Sequence, residues 1–178
     1  MTQRGHPWLG HAGLWFIPVQ HQGNQTAAPE EVARVSLLVQ ELLSGTVHWV
    51  NEKGARLPLR PADILVVAPY NAQVNALAAE LKSVPVGTVD RFQGQQAPVV
   101  IYSLTASSPE DAPRGMDFLY NLSRLNVATS RAKGIVILVG SPLLLQPECK
   151  SPHQMKLANA LCRYVELAQT TGVAVQTA

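Results

Sequence analysis

Short runs of apolar residues alternate along this chain with longer segments in which apolar residues recur every three or four positions. The short runs predict buried β-strands, and the longer segments predict amphipathic helices. Runs that are apolar at nearly every position are typical of parallel strands, because such strands are covered on both faces. The runs lie at residues 14–19, 64–68, 86–89, 99–104 and 135–139. The alternation therefore predicts an α/β fold, a mainly parallel sheet with helices on both faces.

The first helix has clear signals at both ends. Pro29 suits the first helical position, and Glu30 and Glu31 suit the positive end of the helix dipole. Apolar residues then recur at helical spacing as far as Leu42, and Gly45 is expected to end the helix. Further helices are predicted around residues 74–81, 119–132 and 151–168.

The length of 178 residues fits one α/β domain better than two. We place that domain at residues 14–170, after an N-terminal loop or cloning remnant at 1–13 and before a frayed tail at 171–178. Residues 46–61 are rich in glycine and proline, so we interpret them as a surface excursion with at most a short strand at 47–50.

Composition narrows the class of protein. With 47% hydrophobic residues and a formal charge of only +2, the chain can bury a large core but does not show a strongly basic surface. Cys149 and Cys162 lack the spacing of a zinc or disulfide framework, which predicts reduced thiols in a cytoplasmic protein. No run approaches the roughly 20 apolar residues of a membrane span. The histidines, which show no metal-ligand spacing, are His6, His11, His21, His48 and His153.

The sequence lacks the motifs of an independent nucleotide-dependent enzyme. It contains neither the G-x-x-x-x-G-K-[ST] loop that cradles a triphosphate nor the G-x-G-x-x-G fingerprint of dinucleotide sites. Asp90 follows a strand, but it has no such loop with which to share Mg²⁺. No Ser-His-Asp or Cys-His arrangement is evident. In a parallel sheet, ligands bind beyond the carboxyl ends of the strands, so we expect the ligand site in the polar segments that follow them.

Three segments, in this order, resemble superfamily 1 helicases. Residues 66–73, Val-Val-Ala-Pro-Tyr-Asn-Ala-Gln, resemble the motif IV region. Residues 86–96, Val-Gly-Thr-Val-Asp-Arg-Phe-Gln-Gly-Gln-Gln, resemble motif V in the Phe-Gln-Gly form of the 1B branch. Residues 124–133, Arg-Leu-Asn-Val-Ala-Thr-Ser-Arg-Ala-Lys, resemble motif VI and run into the last predicted strand. The resemblance implies a RecA-like, P-loop NTPase-type fold without a P-loop. It also implies that this chain is the second of two motor domains.

A closer likeness lies just before motif VI. Residues 113–120, Pro-Arg-Gly-Met-Asp-Phe-Leu-Tyr, resemble bacterial proteins that join a RecB-like nuclease to such a helicase. This resemblance implies that the chain is the C-terminal end of a longer protein with a nuclease domain. It favours single-stranded DNA over RNA as the track, although the residues themselves do not distinguish the two. ATP and Mg²⁺ would then be held mainly by the first RecA-like domain of the same polypeptide.

The resemblance implies that Arg131 is an arginine finger, which reaches the γ-phosphate of ATP bound by the other motor domain. A guanidinium is always charged and can bridge two phosphate oxygens as charge gathers in the transition state. Arg124 lies seven residues earlier on nearly the same helical face, so we assign it a shared role. The alternative is a solvated basic face of an amphipathic helix.

Other nucleotide contacts implied by the resemblance fall on Gln96, Gly94 and Gln25. Gln96 stands where the family usually has a glutamate that contacts the ribose, and an amide oxygen can still accept a hydrogen bond there. Gln25 stands where the family often has a phosphate-contacting arginine. Both departures raise the alternative that ATP handling is altered. Each could instead be an ordinary surface amide.

The resemblance assigns a grip on single-stranded nucleic acid to motifs V and IV. Gly87 would let a backbone approach closely, and the Thr88 hydroxyl could bond a phosphate without reading sequence. The remaining predicted contacts are Gln93, Pro69, Tyr70 and Gln73. The alternatives are simple turn chemistry and, for Tyr70, packing at the sheet edge. The tryptophans are more simply explained by packing than by base stacking.

Two functions remain open. The first is the second motor domain of an ATP-dependent DNA or RNA helicase or translocase, which supplies the arginine finger and part of the strand grip. The second is a non-catalytic, helicase-like module that binds nucleic acid or acts as a scaffold. The chain alone is not expected to turn over ATP.

Overall fold

The computed structural model of the chain describes residues 12–170. The predicted N-terminal loop and frayed tail therefore lie almost wholly outside the described residues. In chain order the strands are β1 (Gly13–Pro18), β2 (His48–Val50), β3 (Arg56–Pro58), β4 (Ile64–Val67), β5 (Val86–Gly87), β6 (Ala97–Ser103) and β7 (Ala132–Gly140). The helices are α1 (Pro29–Leu42), α2 (Asn71–Glu80), α3 (Met116–Leu119), α4 (Leu122–Ser130) and α5 (Pro152–Thr170).

Five strands form one parallel sheet in the order β1-β7-β6-β4-β5. Strand β1 lies at its edge and ends at Pro18, as the proline indicates. The longest pairing joins β6 and β7, where Val100 lies opposite Val136 and Tyr102 opposite Leu138. The predicted α/β fold with a mainly parallel sheet is confirmed.

Alternate residues of each strand enter two separate cores, one on each face of the sheet. On β7, Ile137 belongs to the core beneath α1 and α2, whereas Val136 and Leu138 belong to the core beneath α5. This alternation follows from the two-residue period of a strand. Helices on both faces leave no face of the sheet exposed, which explains why the central strands are apolar at every position.

Two adjacent leucines of α1 allow a direct test of this packing. Leu38 is fully buried, whereas Leu37 is 51% exposed. We expect Leu38→Ala to lower the free energy of unfolding by about 2–5 kcal/mol, because it leaves a cavity in the core. Leu37→Ala should change it by less than about 0.5 kcal/mol. Urea unfolding followed by circular dichroism measures both, and equal effects would contradict the orientation of α1.

The segment at residues 46–61 is more regular than predicted. Strands β2 and β3 form an antiparallel hairpin in which Trp49 pairs with Leu57. Its turn is held by the Asn51 side chain, which accepts hydrogen bonds from the backbone amides of Lys53 and Ala55. The hairpin lies largely on the surface, so its three-residue strands carry no alternating apolar pattern that would predict them.

The predicted helix at residues 119–132 is divided in the structure. Helix α3 ends at Leu119, α4 begins at Leu122, and Ala132 already belongs to β7. The reason is long-range pairing: the carbonyl of Arg131 accepts a hydrogen bond from the amide of Ala97 at 2.9 Å. That bond commits the backbone at Arg131 to the sheet and ends the helix.

Helix α2 buries most of the apolar stripe predicted there, since Leu77 is buried and Val74 packs against the same core. Gln73 and Leu77 are fully buried, whereas Ala78 is exposed. A polar residue therefore occupies a core position. Over residues 12–170, no helix combines the length and apolar content that crossing a bilayer requires.

Candidate functional site

The predicted site residues fall at the two opposite ends of the sheet. We call these the amino end, where β6 and β7 begin, and the carboxyl end, where the parallel strands finish. The seven residues of β6 separate them by about 20 Å. The predicted site residues therefore do not form one cluster, since Gln96 and Arg131 precede strands rather than follow them.

Arg131 and Gln96 meet at the amino end. Gln96 directly precedes Ala97, whose amide donates to the Arg131 carbonyl at 2.9 Å. Gln96 is exposed and Arg131 is partly exposed. Gly94, two residues before Gln96, has a φ of 84°, a left-handed conformation that glycine adopts without strain. The structure thus brings these three predicted nucleotide contacts to one surface.

The location follows from the connections between parallel strands. Each connection must carry the chain from the carboxyl end of one strand back to the amino end of the next. Residues 88–96 do this between β5 and β6, and α4 does it between β6 and β7. A residue that ends such a connection therefore lies at the amino end of the sheet, and not in a segment that follows a strand.

Arg131 carries a cationic group without an internal counter-charge. Among the described residues no carboxylate forms an ion pair with it, and its buried Nε has no hydrogen-bond acceptor. A buried N–H left unpaired costs about 1–3 kcal/mol. The neighbouring Lys133 is different, since its Nζ lies 2.9 Å from the Glu52 carboxylate of the β2–β3 hairpin.

A pocket of about 540 Å³ opens at the carboxyl end, where β4 and β5 finish. Its size suits a nucleotide-sized ligand. It brings together several predicted nucleic-acid contacts with residues that the sequence did not single out. The lining residues are Thr26, Pro69, Tyr70, Asn71, Ala72, Thr88, Asp90, Arg114, Phe118 and Arg124.

Tyr70 is the most buried polar group of this pocket. It is 6% exposed, and its hydroxyl has no hydrogen-bond partner among the described residues. Burial raises the pKa of Tyr70, and the positive charge of Arg114 acts in the opposite direction. The Tyr70 ring lies 5.4 Å from that of Phe118, centroid to centroid. The hydroxyl therefore stays protonated as a donor at the wall of the pocket.

Two guanidinium groups converge on Phe118. The Cζ of Arg114 lies 4.4 Å from the ring centroid, and the Cζ of Arg124 lies 4.2 Å from it. Such cation–π contacts stabilise each arginine in place. Arg114 and Phe118 were given no role because they lie outside motifs IV, V and VI, although residues 113–120 carry the likeness to nuclease–helicase proteins. Arg114 and Phe118 are four residues apart and Phe118 and Arg124 are six apart, and neither spacing gives a signal of a shared site.

Arg124 does not lie beside Arg131. The two share a helical face, but seven residues of helix rise about 10 Å. Arg124 lines the pocket at the carboxyl end, whereas Arg131 follows the other end of α4. The predicted shared role would need Arg124 and Arg131 at one site, and the structure places them at opposite ends of α4.

Gln73 does not face a ligand. It is fully buried, its Oε1 accepts from the Ala28 amide at 2.8 Å, and its Nε2 donates to the Ser103 hydroxyl at 2.9 Å. The prediction that Gln73 contacts nucleic acid is therefore wrong. Its carboxamide instead fixes the start of α1 against α2 and β6.

Three other predicted residues are not among those that line the pocket. Gly87 is buried, and a Cβ there would lie 2.5 Å from the Arg91 side chain, so the glycine admits that side chain rather than a ligand. Gln25 is exposed in the loop after β1, at the carboxyl end and away from Arg131. Gln93 is exposed after the 3₁₀ turn Val89–Phe92.

A buried polar network lies beneath the carboxyl end. Glu31, predicted only to favour the helix dipole, is fully buried and accepts hydrogen bonds from the Ser103 hydroxyl and the Thr105 amide. Its Oε1 also lies 2.9 Å from His21 Nε2, and His21 Nδ1 lies 2.7 Å from the Ser107 hydroxyl. The Ser107–His21–Glu31 order is that of a hydrolytic triad, but Ser107 is fully buried. The network is therefore structural.

Among residues 12–170, no group of three histidine, cysteine or acidic side chains is placed to hold a metal ion. Cys149 and Cys162 are both free thiols. Burial raises the pKa of Cys162, which disfavours its reactive thiolate form.

Comparison with known proteins agrees with this architecture. The family described as "AAA domain" matches residues 18–143. The mov-10-B.1 protein of Danio rerio is 39% identical over 164 residues, 83% of this chain and 16% of that protein. "RNA helicase Mov10l1" of Homo sapiens is 37% identical over 144 residues, 76% of this chain and 10% of its own length.

A third relative is "DNA replication ATP-dependent helicase/nuclease DNA2" of Bos taurus, 33% identical over 164 residues, 88% of this chain and 15% of that protein. The chain thus spans between 10% and 16% of the lengths of these relatives. The family match covers more than half of the chain, and it includes strands β4 to β7 and both surfaces at the ends of the sheet. The chain therefore belongs to the AAA domain family, in the form that superfamily 1 helicases carry.

Proposed function

We propose that the chain is the second motor domain of an ATP-dependent helicase or translocase. The observation that carries this proposal is the pairing of Arg131 with Gln96 at the amino end of the sheet, joined through the 2.9 Å bond between Ala97 and Arg131. Arg131 contributes a cation without an ion-pair partner among the described residues, and Gln96 contributes an exposed amide. Together they fit the phosphate and the ribose of a nucleotide presented by another domain.

Arg131 acts in this proposal as an arginine finger. Its planar guanidinium bridges oxygens of the γ-phosphate and stabilises the charge that develops during phosphoryl transfer. The chain lacks a triphosphate-binding loop of its own, so the first RecA-like domain of the same polypeptide holds ATP and Mg²⁺. The amino end of the present sheet closes that cleft.

The carboxyl end supplies part of the grip on single-stranded nucleic acid. Pro69, Tyr70 and Thr88, three of the contacts that motifs IV and V imply, line one pocket there. Helix α4 runs from this pocket to Arg131, so it connects the two surfaces. One relative of this chain is named as a DNA replication helicase/nuclease and another as an RNA helicase. We propose single-stranded DNA as the track, with a RecB-like nuclease domain in the same protein, an arrangement that the name of the helicase/nuclease relative supports.

ATP hydrolysis by a polypeptide that joins a first RecA-like domain to this chain tests the proposal. We expect turnover that single-stranded DNA stimulates, and no turnover by this chain alone. The control for substitutions of Arg131 in the joined protein is Arg163→Ala. Arg163 is an exposed residue of α5 paired with Glu166, so its loss should leave the rate of hydrolysis unchanged. Turnover by this chain alone, or no DNA-stimulated turnover by the joined protein, would contradict the motor role.

One observation favours the alternative of a non-catalytic binding module. Gln96 offers a neutral amide where the family resemblance implies a carboxylate. If the chain is a non-catalytic binding module, the joined protein would bind single-stranded DNA without hydrolysing ATP. Replacing Gln96 with glutamate should then fail to restore turnover, whereas in a motor it should raise the affinity for ATP.

A further inference from the structure

We infer that the pocket at the carboxyl end holds one phosphodiester group of the single strand, bound between Arg114 and Arg124 on the platform of Phe118. This inference rests on the proposed function, because it assumes that the strand crosses this end of the sheet. It adds Arg114, Phe118 and Arg124 to the strand-binding residues. It also places Arg124 in strand binding rather than beside the arginine finger.

The convergence of charge is the first argument. Both guanidinium groups lie within 4.4 Å of one ring centroid, and no described carboxylate forms an ion pair with either. Two positive charges that contact the same ring repel each other, and an anion bound near them offsets that repulsion. A fixed pair of guanidiniums is well suited to a phosphate, whose oxygens accept several hydrogen bonds at once.

The unpaired hydroxyl of Tyr70 is the second, independent argument. This hydroxyl is buried in the wall of the pocket and has no partner among the described residues, although buried polar groups are nearly always paired. As a neutral phenol it can donate to a phosphate oxygen. The hydroxyl of Thr88 and the amide of Asn71 line the same pocket and can donate as well.

The charge balance distinguishes a strand from a free nucleotide. Arg114 and Arg124 together with Asp90 leave one net positive charge in the pocket. That charge matches a phosphodiester, which carries a single negative charge. The Asp90 carboxylate would repel a triphosphate more strongly, because its negative charge is larger. A nucleic-acid strand and a free nucleotide both present phosphate groups, and the net charge of the pocket favours the phosphodiester of a strand.

The test measures the salt dependence of binding between this chain and a fluorescein-labelled fifteen-nucleotide oligo(dT), by fluorescence anisotropy without ATP. For single strands the slope of log K against log salt is about −0.7 per neutralised phosphate. We expect Arg114→Ala and Arg124→Ala each to reduce the slope by up to that amount and to weaken binding about tenfold. Phe118→Leu keeps both charges and most of the apolar volume, but it should weaken binding by removing the platform.

The matched control is Arg56→Ala, which removes one positive charge from the exposed β3 strand of the hairpin. It should leave both affinity and slope close to those of the unchanged chain. Thermal unfolding verifies that each variant is folded, and Arg114→Lys and Arg124→Lys replace any variant that is not. Lysine keeps the charge but not the fork, so these variants should retain the slope and lose part of the affinity.

Two outcomes would overturn the inference. One is an unchanged slope and affinity in both folded alanine variants. The other is displacement of the oligonucleotide by excess ATP together with weaker ATP binding in Arg124→Ala, which would assign the pocket to a free nucleotide. Neither outcome touches the arginine-finger role, which is measured through ATP turnover in Arg131 variants. Conversely, Arg131→Ala should lower ATP turnover in the joined protein without changing the salt slope of oligo(dT) binding by this chain.

Discussion

Replacing Arg131 with alanine is expected to lower kcat for DNA-stimulated ATP hydrolysis by about 10³–10⁵-fold in a protein that joins both motor domains. In the proposed role, the guanidinium stabilises charge that appears on the γ-phosphate only in the transition state, and its loss would therefore lower kcat. The dissociation constant of ATP itself should change by only a few fold, because most of its donors lie in the other domain. Steady-state kinetics and nucleotide binding, measured on the same preparation, separate these two effects.

Two further variants sharpen that prediction. Arg131→Lys keeps a positive charge but loses the planar fork, so its kcat should fall between those of alanine and arginine. Arg124→Ala should instead raise the DNA concentration needed for half-maximal stimulation, with a smaller effect on kcat at saturating DNA. Equal kcat losses in Arg124→Ala and Arg131→Ala at saturating DNA would show that the two arginines act as one unit, contrary to their separation along α4.

Replacing Glu31 with alanine is expected to lower the free energy of unfolding by about 3–5 kcal/mol, a large part of the stability of a typical domain. The carboxylate accepts from the Thr105 amide at 3.0 and 3.1 Å and from the Ser103 hydroxyl, and it bonds His21. Its removal leaves these buried donors unpaired. Thr105 also has a φ of 75°, a strained conformation for a β-branched residue that the bonds to Glu31 hold in place.

The neighbouring glutamate supplies the matched control. Glu30 is exposed, and its carboxylate accepts a hydrogen bond from the side-chain amide of Asn24 at 2.7 Å. Glu30→Ala should therefore lower the free energy of unfolding by less than about 1 kcal/mol. Guanidinium chloride unfolding of both variants measures the difference. Similar losses for the two would contradict the buried network, and a stable Glu31→Ala variant would contradict it outright.

The sheet could be predicted from the sequence because its signal is local. Residues 64–68 and 135–139 are apolar throughout, and such runs identify central parallel strands without any knowledge of their partners. The start of α1 at Pro29 was equally predictable from the residues around it. The β2–β3 hairpin was not, since its strands are short and exposed and its turn depends on one asparagine side chain.

The site was predictable only in part, because much of it depends on contacts between distant residues. His21 and Ser107, 86 positions apart, share a hydrogen bond, and so do Glu31 and Thr105, 74 positions apart. No local sequence pattern therefore predicts the buried network. Phe118 likewise belongs to the pocket only because the chain folds Tyr70 and Arg124 against it. Motif resemblance suggested Arg131 and Gln96 as candidates but did not predict their place at the amino end, which the direction of the crossover connections decides.

The most direct test of the central claim compares the binding of ATP and of ADP with aluminium fluoride, a transition-state analogue, in the joined protein with arginine or alanine at position 131. If Arg131 completes the phosphate site of the other motor domain, the alanine variant should bind the analogue at least about 100-fold more weakly and ATP nearly as well as before. Equal affinities of the two proteins for the analogue would contradict the claim.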